Sequence, residues 1–305
     1  MTDVVITYVN NEDKKWAHDY LTYSRIEKKA YKPNGVRFRS WDNFKYILRG
    51  IAQYIPFANN LYIIVSGEGQ IPEFINTDNV RVVYHRDIIP KQYLPTFNSN
   101  AIEMFMYRIP GLSENFIYLN DDMLFLKEHT EQDFFDENMN PRIAVRETVQ
   151  TKTNIYIRTL LKTQSLTKKE NIGFKFNTDK PLLRSDHAPN PMRKSMWEHY
   201  WNKYENELSS SITRFRKDIN ITQELSNYHY YMYYNINSID YTKRRFNKYF
   251  SYKKHTSDYL QKILNDPSVY EVCINDGDIQ EFEICKNVTN KMLEKRLSNK
   301  CKYEK

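Results

Sequence analysis

The chain has 305 residues, of which 40% are hydrophobic and 27% are charged, and this is the composition of a folded soluble protein. Its length favours one main α/β domain with a smaller helical lobe. The net charge of +7 would suit nucleic acid, an anionic membrane or phosphorylated substrates, and charge alone does not choose among them.

Neither membrane spans nor a structural zinc site are expected from the sequence. The N-terminal apolar stretch is about six residues long, and no later segment approaches the ~18 apolar residues of a membrane span. We therefore expect a cytoplasmic protein, with any membrane contact peripheral and made through Lys and Arg. The three cysteines lie far apart without a CxxC or Cys/His cluster, which argues against structural zinc.

The first 150 residues alternate between strand and helix patterns. Short apolar runs, rich in β-branched and aromatic residues, predict buried strands at 4–9, 61–66, 80–85 and 116–120. Helical spacing of apolar residues predicts helices at 41–54 and 99–108. This alternation predicts a Rossmann-like, GT-A-like α/β fold with a mostly parallel sheet, in which ligands bind beyond the C-terminal ends of the strands.

The sequence predicts three parts. Residues 1–150 are predicted to form an α/β nucleotide-sugar-binding part, and the polar, Lys/Thr-rich segment 151–185 is predicted to be a mobile segment or lid. Residues 186–305 are predicted to form an aromatic-rich helical lobe, with a C-terminal strand near 272–274 that completes the active site and a Lys-rich amphipathic helix after 287.

The triplet Asn120-Asp121-Asp122 follows the last predicted strand of the first part. Two adjacent carboxylates repel each other unless a cation binds between them or one is protonated. A divalent metal resolves the repulsion, and Mg²⁺ binds one or two carboxylates together with phosphate oxygens. The competing interpretation is an ordinary turn after a strand, because Asn and Asp favour turns.

Further polar residues stand at predicted strand and helix ends, and each has an ordinary structural alternative. Arginines beside an aromatic residue, in RFR at 37–39 and again at 214–216, are suited to bind phosphate bidentately. His187, next to Asp186 and close to two prolines, is a candidate general base. The complete set of candidates outside the triplet is Asn10, Asp13, Arg37, Arg39, Asn98, Ser99, His187, Arg193, Arg214, Arg216, Asn275 and Asp276.

Several of these segments together resemble the ordered conserved regions of the Stealth family, which contains bacterial capsular polysaccharide phosphotransferases and the animal N-acetylglucosamine-1-phosphotransferase. The resemblance covers most of the chain, and its most specific segment is 88–125. The matching stretches are DVVITYVNNEDKKW (3–16), RFRSWDNFKYILRGIAQY (37–54), residues 88–125, HAPNPMRKS (187–195) with TRFR (213–216), and VCINDGD (272–278).

The resemblance implies transfer of hexose-1-phosphate, commonly N-acetylhexosamine-1-phosphate, from a UDP-sugar to a glycan hydroxyl with release of UMP. It implies Mg²⁺ or Mn²⁺ on Asp121, on Asp122 or on both, His187 as general base, and Arg214 or Arg216 on the transition-state oxygens. The setting would be capsule or cell-surface polysaccharide synthesis, with the inner membrane or the capsule assembly machinery as peripheral partners. Two positions depart from the family pattern: Asn100 stands where His is frequent, and Asn190 where Tyr is frequent.

Two other functions compete with this one. A conventional metal-dependent GT-A glycosyltransferase would break the bond at the anomeric carbon and release UDP. A basic nucleic-acid-binding protein would need a continuous basic surface without a buried acidic pair, and we expect no nucleic-acid partner because the acidic strand ends would repel a phosphate backbone.

Overall fold

The computed structural model describes residues 1–29, 38–236, 247–277 and 279–305. Its strands are β1 (Thr2–Thr7), β2 (Ala58–Val65), β3 (Arg81–Tyr84), β4 (Asn115–Leu119), β5 (Met123–Phe125), β6 (Val145–Val149), β7 (Pro181–Ser185), β8 (Asn190–Arg193), β9 (Asn247–Ser251) and β10 (Glu271–Asn275). Its α-helices are α1 (Lys14–Ile26), α2 (Phe44–Tyr54), α3 (His85–Ile88), α4 (Ser99–Glu103), α5 (Ile155–Glu170), α6 (Lys194–Lys203), α7 (Glu205–Ser211), α8 (Glu224–Ile236), α9 (Ser257–Asn265) and α10 (Phe282–Arg296).

A five-stranded sheet forms the centre of the molecule, in the order β3-β2-β1-β4-β8. The strands β1 to β4 run parallel, and β8 joins the edge of the sheet antiparallel to β4. The four strands predicted in the first part of the chain are therefore confirmed, as is the mostly parallel α/β sheet. From β1 the chain adds β2 and β3 on one side of the sheet and then β4 on the other side. The switch point of the sheet therefore lies between β1 and β4, and doubly wound proteins bind ligands at such a point.

Both faces of the central sheet are buried. Alternate residues of β1 point to opposite faces of the sheet. Val5 belongs to the core cluster that includes residues of α5, α6 and α8, while Val4 and Ile6 belong to the cluster that includes residues of α2, α9 and α10. A sheet covered on both faces must be apolar throughout its strands. This explains why the sequence shows continuous apolar runs there rather than an alternating pattern.

Two smaller sheets complete the fold. The predicted strand near 272–274 is confirmed as β10, but it lies outside the central sheet, between β5 and β9. A second pair, β6 and β7, is antiparallel. The part predicted as helical therefore also contains β8, β9 and β10, while residues 237–246 lie outside the described ranges.

The polar segment 151–185 contains the helix α5. Its sequence showed no apolar periodicity, yet Ile157, Leu160 and Leu166 are buried in the core. Threonines take part in the same buried face, because the Thr163 and Thr167 hydroxyls donate to backbone carbonyls one turn earlier. Threonines whose hydroxyls bond to their own helix backbone can be buried, so a count of apolar residues alone does not detect the buried face of this helix. The division of the chain into three parts stays a prediction.

A buried ion pair joins α2 to the C-terminal segment. Arg49 donates from Nε to Glu304 Oε1 at 2.8 Å, and both side chains are nearly inaccessible, at 6% and 4% exposure. We expect Glu304→Ala to lower the free energy of unfolding by about 3–5 kcal/mol, because it removes the buried charge partner of Arg49 and leaves only the exposed Glu294 at 3.2 Å from the guanidinium. The exposed pair of Arg86 and Glu68 is the control: in chemical denaturation, Glu68→Ala should leave the free energy of unfolding almost unchanged. Equal losses in the two variants would contradict this account.

Among the described residues, no helix combines the length and the apolar composition needed to cross a bilayer.

Candidate active site

A cleft of about 500 Å³ opens beyond the C-terminal ends of β1 and β4. Thr7 and Tyr8 line it from the end of β1, and the triplet Asn120-Asp121-Asp122 lines it from the end of β4. Of the remaining candidates, it gathers Arg39, Ser99, His187, Arg216, Asn275 and Asp276. Most of the predicted site residues therefore lie at the strand ends, where the sequence placed the ligand site.

The triplet forms the turn between β4 and β5, and strand pairing carries β10 to it. Cys273 lies opposite Met123 in the antiparallel pair of β5 and β10, and the Ile274 backbone N–H donates to the Asp122 carbonyl oxygen at 2.8 Å. This register places Asn275 and Asp276 at the cleft. Residues about 150 positions apart in sequence thus share one site because β10 pairs with the strand that follows the acidic turn.

The two carboxyl groups of the turn have different electrostatic environments. Burial, together with repulsion from Asp122, raises the pKa of Asp121 to about 7. Burial would also raise the pKa of Asp122, but the charge of His187 and hydrogen bonds from His187 and Cys273 outweigh it, and the pKa is lowered. Asp122 is thus ionised at neutral pH, while Asp121 is only partly ionised there, and a bound cation would favour its ionised form.

His187 contacts Asp122 directly. Its Nε2 lies 3.2 Å from Asp122 Oδ2. Burial would lower the pKa of His187, but attraction to Asp122 raises it. The Asn247 side chain donates to the His187 backbone carbonyl at 2.9 Å and holds this part of the backbone. The pair therefore has the geometry of a histidine whose protonated form is stabilised by a carboxylate.

The donor atoms beside Asp122 fit a divalent metal ion. One oxygen, Oδ2, faces His187, whereas Oδ1 is buried without a hydrogen-bond partner among the described residues. One ligand atom from each of Asp122, His187 and Cys273 lies within 4.8 Å of the others. A buried carboxylate oxygen with no donor is costly, and a cation would satisfy it. The thiol of Cys273 is completely buried and donates to Asp122, and burial raises its pKa.

Arg39 and Asp276 form an ion pair at the cleft wall. The Arg39 guanidinium donates through Nε and Nη2 to the two oxygens of Asp276, and the Trp41 indole N–H donates to the same carboxylate at 3.2 Å. The guanidinium also lies over the Phe282 ring. This pair ties the segment before α2 to the end of β10, so the positive charge that Arg39 brings to the cleft is partly neutralised.

The two arginines of the TRFR segment have different surroundings. Arg216 is exposed in the cleft and donates to the Ser99 hydroxyl. Arg214 donates to the backbone carbonyls of Pro95 and Leu94, at 2.8 and 3.3 Å, and its guanidinium lies 4.0 Å from the centre of the Tyr23 ring. The sequence left both as candidates for transition-state contacts, and the structure brings only Arg216 to the cleft.

Other candidates lie outside the cleft lining in the described part of the chain, and their role in substrate binding stays a prediction. The Asn10 side chain accepts a hydrogen bond from the Glu12 backbone N–H, and Asp13 caps α1. Arg193, at the end of β8, forms an ion pair with Glu114. Asn98 is completely buried; it caps α4 and donates to the Thr213 carbonyl. Arg37 lies outside the described residues.

An aromatic wall and two buried groups were not predicted from the sequence. Trp16, Phe38 and Phe97 line the cleft, and the Trp16 ring lies 5.0 Å from that of Phe38 and 5.7 Å from that of Phe97, measured between ring centroids. Cys273 was not predicted to lie beside Asp122, and the burial of Glu103 beneath the cleft was not predicted either.

Sequence comparisons identify the family. The family model of Stealth protein CR2, conserved region 2, matches residues 37–143. The capsular polysaccharide phosphotransferase fcs1 of Haemophilus influenzae is 30% identical over 300 residues, which cover 90% of this chain and 78% of the relative. The chain belongs to the Stealth family. The exopolysaccharide phosphotransferase cps2G of Lactiplantibacillus plantarum is also 30% identical, over 99% of this chain and 96% of its own. Membership confirms the resemblance drawn from the motifs and makes the protein a transferase enzyme.

Solved structures give weaker similarities. Mouse xyloside xylosyltransferase 1 aligns with a TM-score of 0.37 and 13% identity, over 89% of this chain and 96% of its own. The galactosyltransferase LgtC, in complex with donor and acceptor sugar analogues, aligns with a TM-score of 0.35 and 12% identity, over 95% and 96%. Scores this low do not bear on the chemistry of the cleft.

Proposed function

We propose that this Stealth protein transfers hexose-1-phosphate, with N-acetylhexosamine-1-phosphate as the first choice, from a UDP-sugar to a glycan hydroxyl. The acceptor oxygen forms a bond to the phosphorus that carries the sugar. The bond from that phosphorus to the bridging oxygen breaks, and UMP leaves with the bridging oxygen. The product is a phosphodiester between sugar and glycan. The names of the capsular and exopolysaccharide phosphotransferases among its relatives support this proposal.

One observation carries the proposal: Asp121, Asp122, His187 and Arg216 line the same cleft. Phosphoryl transfer depends on positioning and on charge neutralisation more than on covalent chemistry. An arginine at the cleft supplies fixed positive charge for the phosphate oxygens. Hydrogen-bonded to Asp122, the neutral form of His187 supplies a group that accepts a proton.

A divalent metal ion, Mg²⁺ or Mn²⁺, would be held by Asp121 and by Asp122 Oδ1, and it would neutralise the diphosphate of the donor. Carboxylate oxygens are the ligands that Mg²⁺ prefers. Two features support this assignment: Oδ1 has no hydrogen-bond partner among the described residues, and the pKa of Asp121 is raised to about 7. The donor set that includes Cys273 would instead suit a softer ion.

His187 Nδ1 is proposed to accept the proton of the acceptor hydroxyl, while Nε2–H donates to Asp122 Oδ2, which orients the ring and stabilises its protonated form. We expect His187→Ala to lower the rate of transfer by roughly 10²-fold or more, and to weaken the binding of UDP-N-acetylglucosamine much less. Turnover and calorimetric binding, measured on the same preparation, separate the two effects. Equal losses in both quantities would remove His187 from the role of base.

Incubation with a panel of UDP-sugars, Mg²⁺ and an oligosaccharide acceptor tests the proposed reaction. Release of UMP together with a phosphodiester-linked product supports it. Release of UDP would contradict it and would favour a conventional glycosyltransferase, which breaks the bond at the anomeric carbon. Salt-dependent RNA binding without metal-dependent turnover would favour the nucleic-acid alternative.

The proposed setting is capsule or cell-surface polysaccharide synthesis in a bacterium. UDP-sugars are expected to reach the enzyme in the cytoplasm, and the basic charge of the chain, +7, favours peripheral contact with an anionic membrane surface. Fractionation of producing cells before and after a high-salt wash tests this contact, since a peripheral electrostatic association is released by salt.

A further inference from the structure

Two buried polar groups lie beneath the floor of the cleft and are not used in the proposed reaction. Glu103, at the end of α4, is 4% exposed, and Tyr118, on β4, is 1% exposed. Neither lines the cleft, but the residues they contact do. A buried carboxyl group is costly to the fold, and Glu103 Oε2 has no hydrogen-bond partner in the part of the chain that the structure describes.

Hydrogen bonds connect these groups to two residues of the cleft lining. The Tyr118 hydroxyl donates to Glu103 Oε1 at 3.2 Å. The same hydroxyl oxygen lies 2.9 Å from Thr7 Oγ1 and accepts from Asn120 Nδ2 at 3.2 Å. Thr7 and Asn120 are thus both hydrogen-bonded to the Tyr118 hydroxyl oxygen, and the proton of that hydroxyl is donated to Glu103.

The direction of each bond follows from the number of protons available. An ionised carboxylate only accepts, and a tyrosine hydroxyl has one proton to donate. Once Tyr118 donates to Glu103, its oxygen only accepts, so Thr7 donates its hydroxyl proton to Tyr118. Thr7 Oγ1 and Asn120 Oδ1 are then left as acceptors on the cleft side.

We propose that Glu103 and Tyr118 are positioning residues that orient Thr7 and Asn120 as a pair of hydrogen-bond acceptors for adjacent hydroxyl groups of the donor substrate. Neighbouring hydroxyls are the groups that a ribose and a pyranose ring have in common. This inference rests on the proposed function for the identity of the donor, whereas the hydrogen bonds rest on the geometry and their directions on an ionised Glu103.

The charges around Glu103 are consistent with an ionised group in neutral to mildly alkaline solution. Burial, and next the charge of Glu224, raise the pKa of Glu103 to about 7, while the charge of Arg216 and the hydrogen bond from Tyr118 lower it. Burial raises the pKa of Tyr118, so its hydroxyl keeps the proton that it donates. Above about pH 7 the acceptor pair is therefore expected to be in place.

The test replaces Glu103 by an apolar residue of similar length, Glu103→Met. Tyr118 can then donate to Thr7 instead, and the acceptor pair loses its fixed orientation. At about pH 8 we expect the affinity for the donor to fall roughly 5- to 10-fold, as for the loss of one hydrogen bond. The melting temperature should stay the same or rise, because a buried carboxyl group with an unpaired oxygen has been removed. A merely structural role would lower the melting temperature and leave the affinity of the folded protein unchanged.

Binding is measured by calorimetry with UDP and with UDP-N-acetylglucosamine, each with Mg²⁺ and without acceptor. Equal weakening for both ligands assigns the hydroxyls to the ribose, and weakening for UDP-N-acetylglucosamine alone assigns them to the sugar. Tyr118→Phe should reproduce the loss. The control is Tyr62→Phe, which removes an equally buried hydroxyl that donates to the Gly111 carbonyl at 2.9 Å away from the cleft, and it should leave both affinities unchanged.

Affinities for both ligands within about twofold of the parent protein in Glu103→Met would overturn the inference. A parent protein that binds both ligands but releases no UMP in the presence of acceptors would contradict the proposed function alone, and the comparison of affinities would still decide the role of Glu103. A parent protein that binds neither ligand would contradict both.

Discussion

Asp122→Asn is expected to lower the rate of sugar-phosphate transfer by about 10³-fold or more, while leaving the fold intact. The substitution changes the charge but hardly the shape of the side chain. It removes the carboxylate that orients and stabilises His187 at 3.2 Å, and it weakens the proposed metal site at Oδ1. Each of these contacts is worth roughly 10- to 100-fold or more in rate. Release of UMP under saturating donor, with the melting temperature recorded alongside, measures the effect.

Asp3→Asn is the matched control for this substitution. Asp3 is completely buried on β1 at the opposite end of the strands from the cleft, and it accepts from the Asn60 and Ser113 backbone N–H groups at 3.0 and 2.7 Å. Its loss should lower the melting temperature but leave the turnover of the folded enzyme near that of the parent. An active Asp122→Asn enzyme would remove both the metal argument and the role of the carboxylate beside His187.

Arg216→Ala is expected to lower the rate of transfer by roughly 10²- to 10³-fold, with almost no loss of stability. The side chain is exposed, and its hydrogen-bond partner is the Ser99 hydroxyl at the cleft. Surface substitutions without buried contacts usually change the free energy of unfolding by less than about 0.5 kcal/mol. Turnover and chemical denaturation of the same preparation separate the two quantities.

Arg214→Ala should give the opposite pattern. Its guanidinium holds the backbone of Pro95 and Leu94 and lies 3.6 Å from Glu27. We expect a loss of about 1–3 kcal/mol in the free energy of unfolding, with the turnover of the folded enzyme reduced far less than in Arg216→Ala. A larger catalytic loss in Arg214→Ala than in Arg216→Ala would show that the cleft-lining position does not identify the phosphate contact.

The central sheet was predictable because its strands are buried on both faces. Runs such as 4–9 and 116–120 are apolar throughout, and that pattern is typical of a parallel sheet under two layers of helices. The acidic triplet was predictable for a related reason, since polar residues directly after such a run stand at the strand ends where ligands bind. The helix α5 was not, because buried threonines contribute to its inner face.

The assembly of the site depended on contacts that local patterns do not encode. Cys273 approaches Asp122 through the pairing of β5 and β10, and nothing within a few residues of either position indicates that pairing. Arg214 and Arg216 are two residues apart in the same motif, and the difference between them is set by the loop at 94–97 and by Ser99. Glu103 looked like an ordinary helical residue, because its burial depends on β4 packing against it.

In the proposed reaction, the acceptor hydroxyl attacks the phosphorus that bears the sugar. The most direct test uses a UDP-N-acetylhexosamine that carries radioactive phosphorus in the β-phosphate and tritium in the sugar, incubated with the enzyme, Mg²⁺ and a glycan acceptor. Transfer of both labels to the glycan in the ratio of the donor, with unlabelled UMP released, is the predicted result. Transfer of tritium alone, with the labelled phosphate left in UDP, would contradict it.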